Sequence, residues 1–254
     1  MKPLLIIAAM PIETSLLETT LMQPHKQRCA GFDVVEGMLD TLRVIVCAAG
    51  VGKINAAAAA AVMIERYRPR LVINVGCAGA YIGSGLSVGN LTVASDEVLA
   101  DDGVIVSDGW KDLRSMDLPS FERGGRRHFN SIPLSRHASE KAMQLADYYG
   151  VFLMRGRFAT VSTCSGTRER GMELSRRWNA IVENMEGAAI ALVCLRFGVD
   201  CLEIRGISNM VDERDMGKWQ IPRAVEAAQR FVLKYLEEME RPDSVPGQRP
   251  ASVP

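Results

Sequence analysis

Two carboxylates, Glu13 and Glu186, stand where apolar stretches of the chain meet polar ones. Glu13 follows the apolar run 4–9, and Glu186 precedes residues 188–195, which are only Ala, Ile, Leu, Val and Cys. A carboxylate in the first turn of a helix stabilises that helix through its dipole by about 0.3–1 kcal/mol, which is one interpretation of both residues. The other is that the fold brings both carboxylates into a ligand site, where they are charged hydrogen-bond acceptors.

Three further segments carry glycine or other small residues after an apolar run: GVGK at 50–53, NVGCAGA at 74–80 and RGISN at 205–209. Glycine in a turn that leads into a helix lets backbone N–H groups approach a ligand closely. Small residues such as Ala78 and Gly79 leave room for a flat or sugar-like ligand. The GVGK segment has the spacing of neither a Walker A loop nor a GxGxxG loop, so a tight turn is the alternative interpretation.

Short apolar runs that alternate with helical patterns indicate the elements that must position these residues. The predicted strands are 4–9, 32–38, 42–49, 71–76, 91–99, 157–163 and 201–207. The predicted helices are 13–21, 54–67, 137–149, 168–177, 186–197 and 220–239. This pattern predicts an α/β fold, with a central mixed, mostly parallel twisted sheet flanked by helices. In such sheets ligands bind at the carboxyl ends of strands, where the polar and small-residue segments lie.

The chain is long enough for one large domain, which we expect over residues 1–240. Residues 101–135 lack periodicity, and a stretch of this length is typical of a functional lid, an interface or a disordered segment. Residues 241–254 are rich in Pro, Ser and Gly, so we expect a disordered tail.

Composition excludes several classes of protein. Lys plus Arg equals Asp plus Glu at 30 each, so no net charge favours nucleic acid or a membrane surface. No apolar run approaches the roughly 20 residues that span a bilayer, and the start lacks a convincing signal cleavage site, so a cytoplasmic location is expected. The six cysteines show no CxxC or Cys/His ligand spacing, and neither a metal nor a cofactor is expected.

Taken in order, five segments resemble the nucleoside phosphorylase and nucleosidase superfamily, in particular its hydrolytic branch. They are Met10-x-x-Glu13, GVGK at 50–53, GCAGA at 76–80, Asn184-Met185-Glu186 and RGISN at 205–209. The resemblance covers residues 3–239. Within the hydrolytic branch, the stretches 182–194 and 205–224 look most like the futalosine hydrolases. The methylthioadenosine/adenosylhomocysteine nucleosidases differ at two places, with Glu-Met-Glu at 184–186 and Asp in place of Asn209.

The resemblance implies hydrolysis of the N-ribosidic bond of futalosine, with release of hypoxanthine. Glu13 then matches the carboxylate that activates water, and Glu186 matches the carboxylate that binds the ribose hydroxyls. Met185 would pack against the ribose. The other implied substrate contacts are Asn184, Ala78, Gly79, Ser208, Ser162 and Thr163. The aromatic carboxylate at the far end of futalosine needs a cation, for which the candidates are Arg126, Arg127 and Arg136.

Asn209 bears on the choice of purine. In adenine-specific relatives an Asp at this place protonates or hydrogen-bonds N7, whereas an Asn amide donates to the N7/O6 edge of a 6-oxopurine. The sequence therefore favours hypoxanthine over adenine as the leaving base. Relatives also bury a subunit interface next to the site, which implies a homodimer. The alternatives are a methylthioadenosine/adenosylhomocysteine or amino-futalosine nucleosidase, a phosphorolytic enzyme, and a non-catalytic nucleoside-binding protein.

Overall fold

The computed structural model describes residues 2–240, and the predicted tail at 241–254 lies outside the described residues. The strands are β1 (Leu4–Ala8), β2 (Met22–Cys29), β3 (Phe32–Leu39), β4 (Leu42–Ala48), β5 (Leu71–Tyr81), β6 (Leu91–Leu99), β7 (Gly103–Val106), β8 (Gly109–Asp112), β9 (Phe121–Arg123), β10 (Arg126–His128), β11 (Ser131–Pro133), β12 (Leu153–Thr160), β13 (Ala180–Asn184) and β14 (Asp200–Val211). The α-helices are α1 (Ser15–Thr20), α2 (Lys53–Tyr67), α3 (Arg136–Tyr149), α4 (Arg168–Trp178), α5 (Gly187–Phe197) and α6 (Ile221–Glu240). Short 3-10 turns occupy Pro11–Glu13 and Met216–Lys218.

Ten of the strands form one mixed sheet. Its centre is parallel, since β1 lies between β4 and β5 and β5 also pairs in parallel with β14. The antiparallel strands β3 and β2 extend one edge. On the other side β5, β14, β6, β12 and β13 pair in a closed ring, so this half of the sheet curls into a partial barrel. The predicted single α/β domain, a central mixed sheet flanked by helices, is confirmed.

Strand β1 shows how both faces of the sheet are covered. Leu4 and Ile6 pack in a cluster with residues of α3 and α6, whereas Leu5 and Ile7 pack with residues of α2 and α5. All four side chains are fully buried. Because successive side chains of a strand point to opposite faces, a strand buried on both faces has to be apolar throughout.

The parallel centre of the sheet determines where the polar segments meet. β1, β4, β5 and β14 run in the same direction, so their carboxyl ends lie along one edge. Glu13 follows β1, the turn 50–53 follows β4, and residues 76–80 and 205–209 form the last parts of β5 and β14. As expected for an open α/β sheet, this edge gathers the segments that the sequence marked as a candidate site.

Several strands were not predicted from the sequence. The stretch 101–135 contains the hairpins β7–β8 and β9–β10 and the edge strand β11. β2 was missed because it is an edge strand of mostly exposed polar residues, and β13 because only its first three residues are apolar. Among residues 2–240, no helix is both long and apolar enough to cross a bilayer.

Candidate active site

The carboxylate of Glu13 is bound by three backbone N–H groups. The turn Pro11–Glu13 directly follows β1, and Glu13 Oε2 accepts hydrogen bonds from the N–H groups of Ala9 (3.0 Å) and Met10 (2.9 Å). Its Oε1 accepts a third from Cys77 N–H on β5 (3.0 Å). The bond from Met10 N–H closes the Pro11–Glu13 turn, as expected if Glu13 stabilises the start of a helix. The bond to Cys77 joins Glu13 to the edge of the sheet, where it is 4% exposed.

Gly76 leaves space in which two charged groups approach each other. A Cβ atom at this position would lie 2.4 Å from Glu13 Oε1 and 2.6 Å from Arg205 Nη1. Any side chain at position 76 would therefore displace Glu13 or Arg205. The small residues of β5 were predicted to make room for a ligand, but at Gly76 the space is filled by the protein's own side chains.

The carboxylate of Glu186 reaches away from its own helix. Glu186 Oε1 accepts a hydrogen bond from the N–H of Gly52 (2.9 Å), the residue that precedes α2. Gly52 has a φ of 95°, a conformation that glycine adopts readily. The N-terminus of a helix carries partial positive charge, so the start of α2 stabilises the ionised carboxylate. The GVGK turn thus donates to a carboxylate of the protein itself.

Asn184, and not Glu186, caps helix α5. Asn184 Oδ1 accepts hydrogen bonds from the N–H groups of Glu186 (2.9 Å) and Gly187 (2.7 Å), and Thr160 Oγ1 accepts one from Ala188 N–H (2.7 Å). The Glu186 side chain makes no capping bond. The helix therefore does not need the Glu186 carboxylate, which remains available to the site. Asn184 was predicted to contact substrate, but its side-chain oxygen is engaged in this cap.

Arg205 is a buried cation beside both carboxylates and is 1% exposed. Its Nη2 lies 3.6 Å from Glu186 Oε2, and its Nε lies 2.8 Å from Glu203 Oε1. Burial lowers the pKa of Arg205, but Glu203, Glu186 and Glu13 raise it by more, so the guanidinium stays charged. Burial raises the pKa of Glu186, and Arg205 and the Gly52 N–H oppose that rise. Arg205 thus allows two acids to be buried close together.

Asn209 and Ser208 lie on β14 beside the small residues of β5. Asn209 is the register partner of Gly79, and a Cβ on that glycine would lie 3.2 Å from Asn209 Nδ2. Ser208 Oγ donates to Asn209 Oδ1 (2.8 Å) and lies 3.3 Å from the carbonyl oxygen of Ala78. Asn209 Nδ2 donates to the carbonyl of Met210 (3.1 Å). An amide has two N–H donors, so within the described part of the chain one is left for a ligand.

The loop after β12 contains Ser162 and Thr163, both exposed. The N–H of Ser162 donates to Asp101, and Lys53 Nζ lies 2.7 Å from the other oxygen of Asp101. Through Asp101, the lysine of the GVGK turn therefore holds the loop whose Ser162 and Thr163 were predicted to contact the substrate. Met185, which lies between Asn184 and Glu186 in the sequence, is half-buried.

A cavity of about 920 Å³ is lined by Ala9 and Met10, whose N–H groups bind Glu13, and by Gly50, two residues before Gly52. Lys26 and Phe32, from strands β2 and β3, also line it. Among residues 2–240, no cluster of His, Cys, Asp or Glu is arranged to hold a metal ion.

The three arginines that were candidates for binding the distal carboxylate do not line this cavity. Arg136 is at the start of α3 and pairs with Glu140 at 2.6 Å. Arg126 and Arg127 line a different cavity, of about 270 Å³. Arg127 is already paired with Asp117 at 2.7 Å.

Sequence reasoning gave no role to Arg205, although it lies in the segment RGISN, or to Glu203 and Glu97; all three are essentially fully buried. The sequence does contain a pattern that could have identified two of them. Glu203 and Arg205 are two residues apart in an apolar strand, so they share one face and lie within reach of each other. Glu97 gives no such signal, because its hydrogen-bond partners, Thr160 and Asn184, are distant in sequence.

Comparison with known proteins agrees with this architecture. Residues 3–237 match the phosphorylase superfamily. A futalosine hydrolase from Thermus thermophilus is 38% identical over 189 residues, which cover 74% of this chain and 79% of that protein. A 5′-methylthioadenosine/S-adenosylhomocysteine nucleosidase from Bacillus thuringiensis is 28% identical over 237 residues, covering 92% of this chain and 98% of that protein.

Two solved structures show the same fold. The 5′-methylthioadenosine/S-adenosylhomocysteine nucleosidase of Neisseria meningitidis, in complex with methylthio-immucillin-A, has a TM-score of 0.82 at 23% identity, covering 94% of this chain and 100% of that one. A futalosine hydrolase mutant of Helicobacter pylori has a TM-score of 0.82 at 24% identity, with the same coverage. The relatives are named as nucleosidases and hydrolases, and the protein is an N-glycosyl hydrolase. The chain belongs to the phosphorylase superfamily.

Proposed function

We propose that this protein hydrolyses the N-ribosidic bond of futalosine and releases hypoxanthine and dehypoxanthine futalosine, a step of the futalosine route to menaquinone. One observation carries the proposal. Glu13 and Glu186, far apart in the chain, flank the same buried guanidinium of Arg205, on the edge where Asn209 offers an amide N–H. The 38% identity to a futalosine hydrolase supports the choice of substrate.

The two carboxylates have different roles in this reaction. Water attacks C1′ of the ribose and gives a proton to Glu13, while the C1′–N9 bond breaks and its electron pair leaves with the purine. The purine then takes up a proton from solvent, and Glu13 returns its proton to solvent. General base catalysis of this kind contributes about 10²–10⁴-fold. Glu186 accepts hydrogen bonds from the ribose 2′- and 3′-hydroxyls, and its charge favours the cationic sugar of the transition state.

Asn209 selects the leaving base. Ser208 Oγ donates to Asn209 Oδ1, which orients the amide so that Nδ2 is the group left to donate. Nδ2 then donates to N7 or O6 of hypoxanthine as negative charge develops on the base. The small residues Ala78 and Gly79 give the purine room beside β5. Met185 packs on the ribose, and the loop with Ser162 and Thr163 borders the purine.

The cavity beside Met10 and Gly50 suits the distal part of futalosine. Phe32 offers an aromatic surface, and Lys26 offers a cation for the aromatic carboxylate. The other charges that line this cavity already have partners. Arg28 lies 3.5 Å from Asp33, and Glu18 accepts a hydrogen bond from Thr14 Oγ1. We therefore propose Lys26 as the partner of the substrate carboxylate.

We also propose that the protein is a cytoplasmic homodimer. Large apolar side chains are exposed on α2 and on the hairpin β7–β8, where Ile54 is 86% and Ile105 83% exposed. Exposed apolar residues of this kind are typical of interaction surfaces when they are contiguous. The molar mass in solution tests this: we expect that of a dimer for the wild type and a lower value for Ile54→Glu.

A methylthioadenosine/adenosylhomocysteine nucleosidase is the second candidate, favoured by the 28% identity that extends over 92% of the chain. Purified protein is incubated with futalosine, amino-futalosine, inosine and methylthioadenosine in phosphate-free buffer, and the released base is identified. Hypoxanthine from futalosine supports the proposal, and adenine from methylthioadenosine or amino-futalosine supports an adenine-specific nucleosidase. Turnover that requires added phosphate identifies a phosphorylase, and no turnover of any nucleoside identifies a binding protein.

A further inference from the structure

Two acidic residues outside the proposed reaction, Glu97 and Glu203, are 0% exposed. Their carboxyl groups converge on one point. A Cβ atom on Gly187 would lie 2.1 Å from Glu97 Oε1 and 2.4 Å from Glu203 Oε2. Two ionised carboxylates cannot occupy so small a buried space without severe repulsion, so one proton has to lie between them.

The hydrogen bonds around the pair indicate where that proton lies. Glu97 Oε1 accepts from Asn184 Nδ2 (2.6 Å), and Glu97 Oε2 accepts from Thr160 Oγ1 (2.7 Å) and Val98 N–H (3.2 Å). Glu203 Oε1 accepts from Arg205 Nε (2.8 Å). Glu203 Oε2 accepts from no group within residues 2–240. One proton held between Glu203 Oε2 and Glu97 Oε1, on either of these two oxygens, satisfies all four oxygens at once.

This pair reaches Glu186 by two routes. Through the backbone, Glu97 fixes the amide of Asn184, whose Oδ1 accepts from Glu186 N–H. Through the side chain, Glu203 fixes Arg205, whose guanidinium lies 3.6 Å from Glu186 Oε2. We propose that Glu97 and Glu203 share one proton and together act as positioning residues that hold Glu186 in its place. The inference rests on the function proposed above for Glu186.

Within residues 2–240, Arg205 is the cation in contact with the pair. Other ionisable groups of this part of the chain that act on the pair include Glu186, Tyr81 and Cys201. Burial raises the pKa of Tyr81, and a hydrogen bond with Cys194 together with burial raises the pKa of Cys201, so both are neutral. One shared proton leaves the pair with a single negative charge opposite Arg205.

Shared protonation predicts an asymmetry between two conservative variants. In Glu203→Gln the amide N–H takes over the proton's hydrogen bond to Glu97, while the amide oxygen still accepts from Arg205. In Glu97→Gln the amide nitrogen faces either Asn184 Nδ2 or Val98 N–H. Both of these groups are donors, so the new amide N–H groups meet another donor and a hydrogen bond is lost. Both variants leave one negative charge, so only the hydrogen bonding differs.

The test measures kcat and KM for nucleoside hydrolysis in Glu203→Gln, Glu97→Gln and the apolar control Glu203→Met. We expect Glu203→Gln to retain kcat within about threefold, and the other two variants to lose at least about tenfold, mainly in kcat. Equal losses in Glu203→Gln and Glu203→Met overturn the proposal, as does full activity in all three variants. Circular dichroism confirms that each variant is folded.

An infrared measurement on the substrate-free protein tests the shared proton without any assumption about the reaction. The wild type should show, at neutral pH, the C=O stretch of a buried protonated carboxyl group, and Glu203→Gln should lack it. Absence of that difference overturns the shared proton even if futalosine is hydrolysed. Its presence keeps the proton assignment even if the substrate turns out to be another nucleoside.

Discussion

Glu186 Oε1 accepts a hydrogen bond of 2.9 Å from the backbone N–H of Gly52, at the start of a different helix from the one that Glu186 precedes. The carboxylate is therefore stabilised by the N-terminus of α2, while Asn184 caps α5. Asn184 thus starts the helix and Glu186 presents the charge, two roles that the sequence alone does not distinguish. Loss of the Glu186 carboxylate should accordingly affect catalysis more than stability.

Glu186→Ala should remove most activity and leave the fold intact. The variant loses charge-assisted hydrogen bonds to the ribose, each worth about 1.5–3 kcal/mol, so kcat/KM should fall by about 10²-fold or more. The matched variant Asn184→Ala removes the cap of α5 and should lower the free energy of unfolding by about 0.5–2 kcal/mol. Urea denaturation and hydrolysis assays of both variants check this. Unfolding of Glu186→Ala would show that the carboxylate is needed for the fold.

Activity should decline at acidic pH because Glu186 has to be ionised to accept the ribose hydroxyls. Burial raises the pKa of Glu186 above its usual range, so kcat/KM falls as the pH drops through that raised value. In Arg205→Lys the planar guanidinium contact is lost and the pKa of Glu186 should rise further. The acidic limb of the pH profile should then move to higher pH. An unchanged limb in this variant would contradict the role given to Arg205.

The fold, and the sheet edge that gathers the candidate site residues, were predictable because they depend on local patterns. Apolar runs such as 4–9 indicate strands buried on both faces, and parallel strands bring their carboxyl ends together. The prediction of Glu13, Glu186 and Asn209 as site residues rests on their positions at those ends and on the family resemblance.

The supporting groups were not predictable, since they depend on contacts between distant residues. The cap of α5 by Asn184 could have been suspected from its place just before the helix. The bond from Gly52 to Glu186 spans 134 positions, and no local pattern encodes it. Polar residues of the edge strand β2, including Lys26, gave no sign that they line a cavity.

Asn209→Asp should shift the enzyme from 6-oxopurines toward 6-aminopurines. A carboxyl group can protonate or hydrogen-bond N7 of adenine, whereas the Asn amide donates to the N7/O6 edge of hypoxanthine. The ratio of kcat/KM for inosine to that for methylthioadenosine should fall by at least about tenfold, the equivalent of about 1.4 kcal/mol. Asn209→Ala is the control, which should lose hypoxanthine release without gaining adenine release. An unchanged ratio in Asn209→Asp would refute the assignment.

Lys26→Met should weaken futalosine hydrolysis and spare inosine, which lacks the distal carboxylate. A charge-assisted hydrogen bond to a carboxylate is worth about 1.5–3 kcal/mol, so kcat/KM for futalosine should fall by about tenfold or more, chiefly through KM. Lys26 is exposed on strand β2, so the fold should tolerate the change. Arg136→Met and Arg126→Met serve as controls, because these arginines lie at the start of α3 and beside another cavity. A loss confined to either control would move the carboxylate partner away from the cavity at Met10. Equal losses for futalosine and inosine in Lys26→Met would mean that the lysine supports the site in general and does not recognise the distal carboxylate.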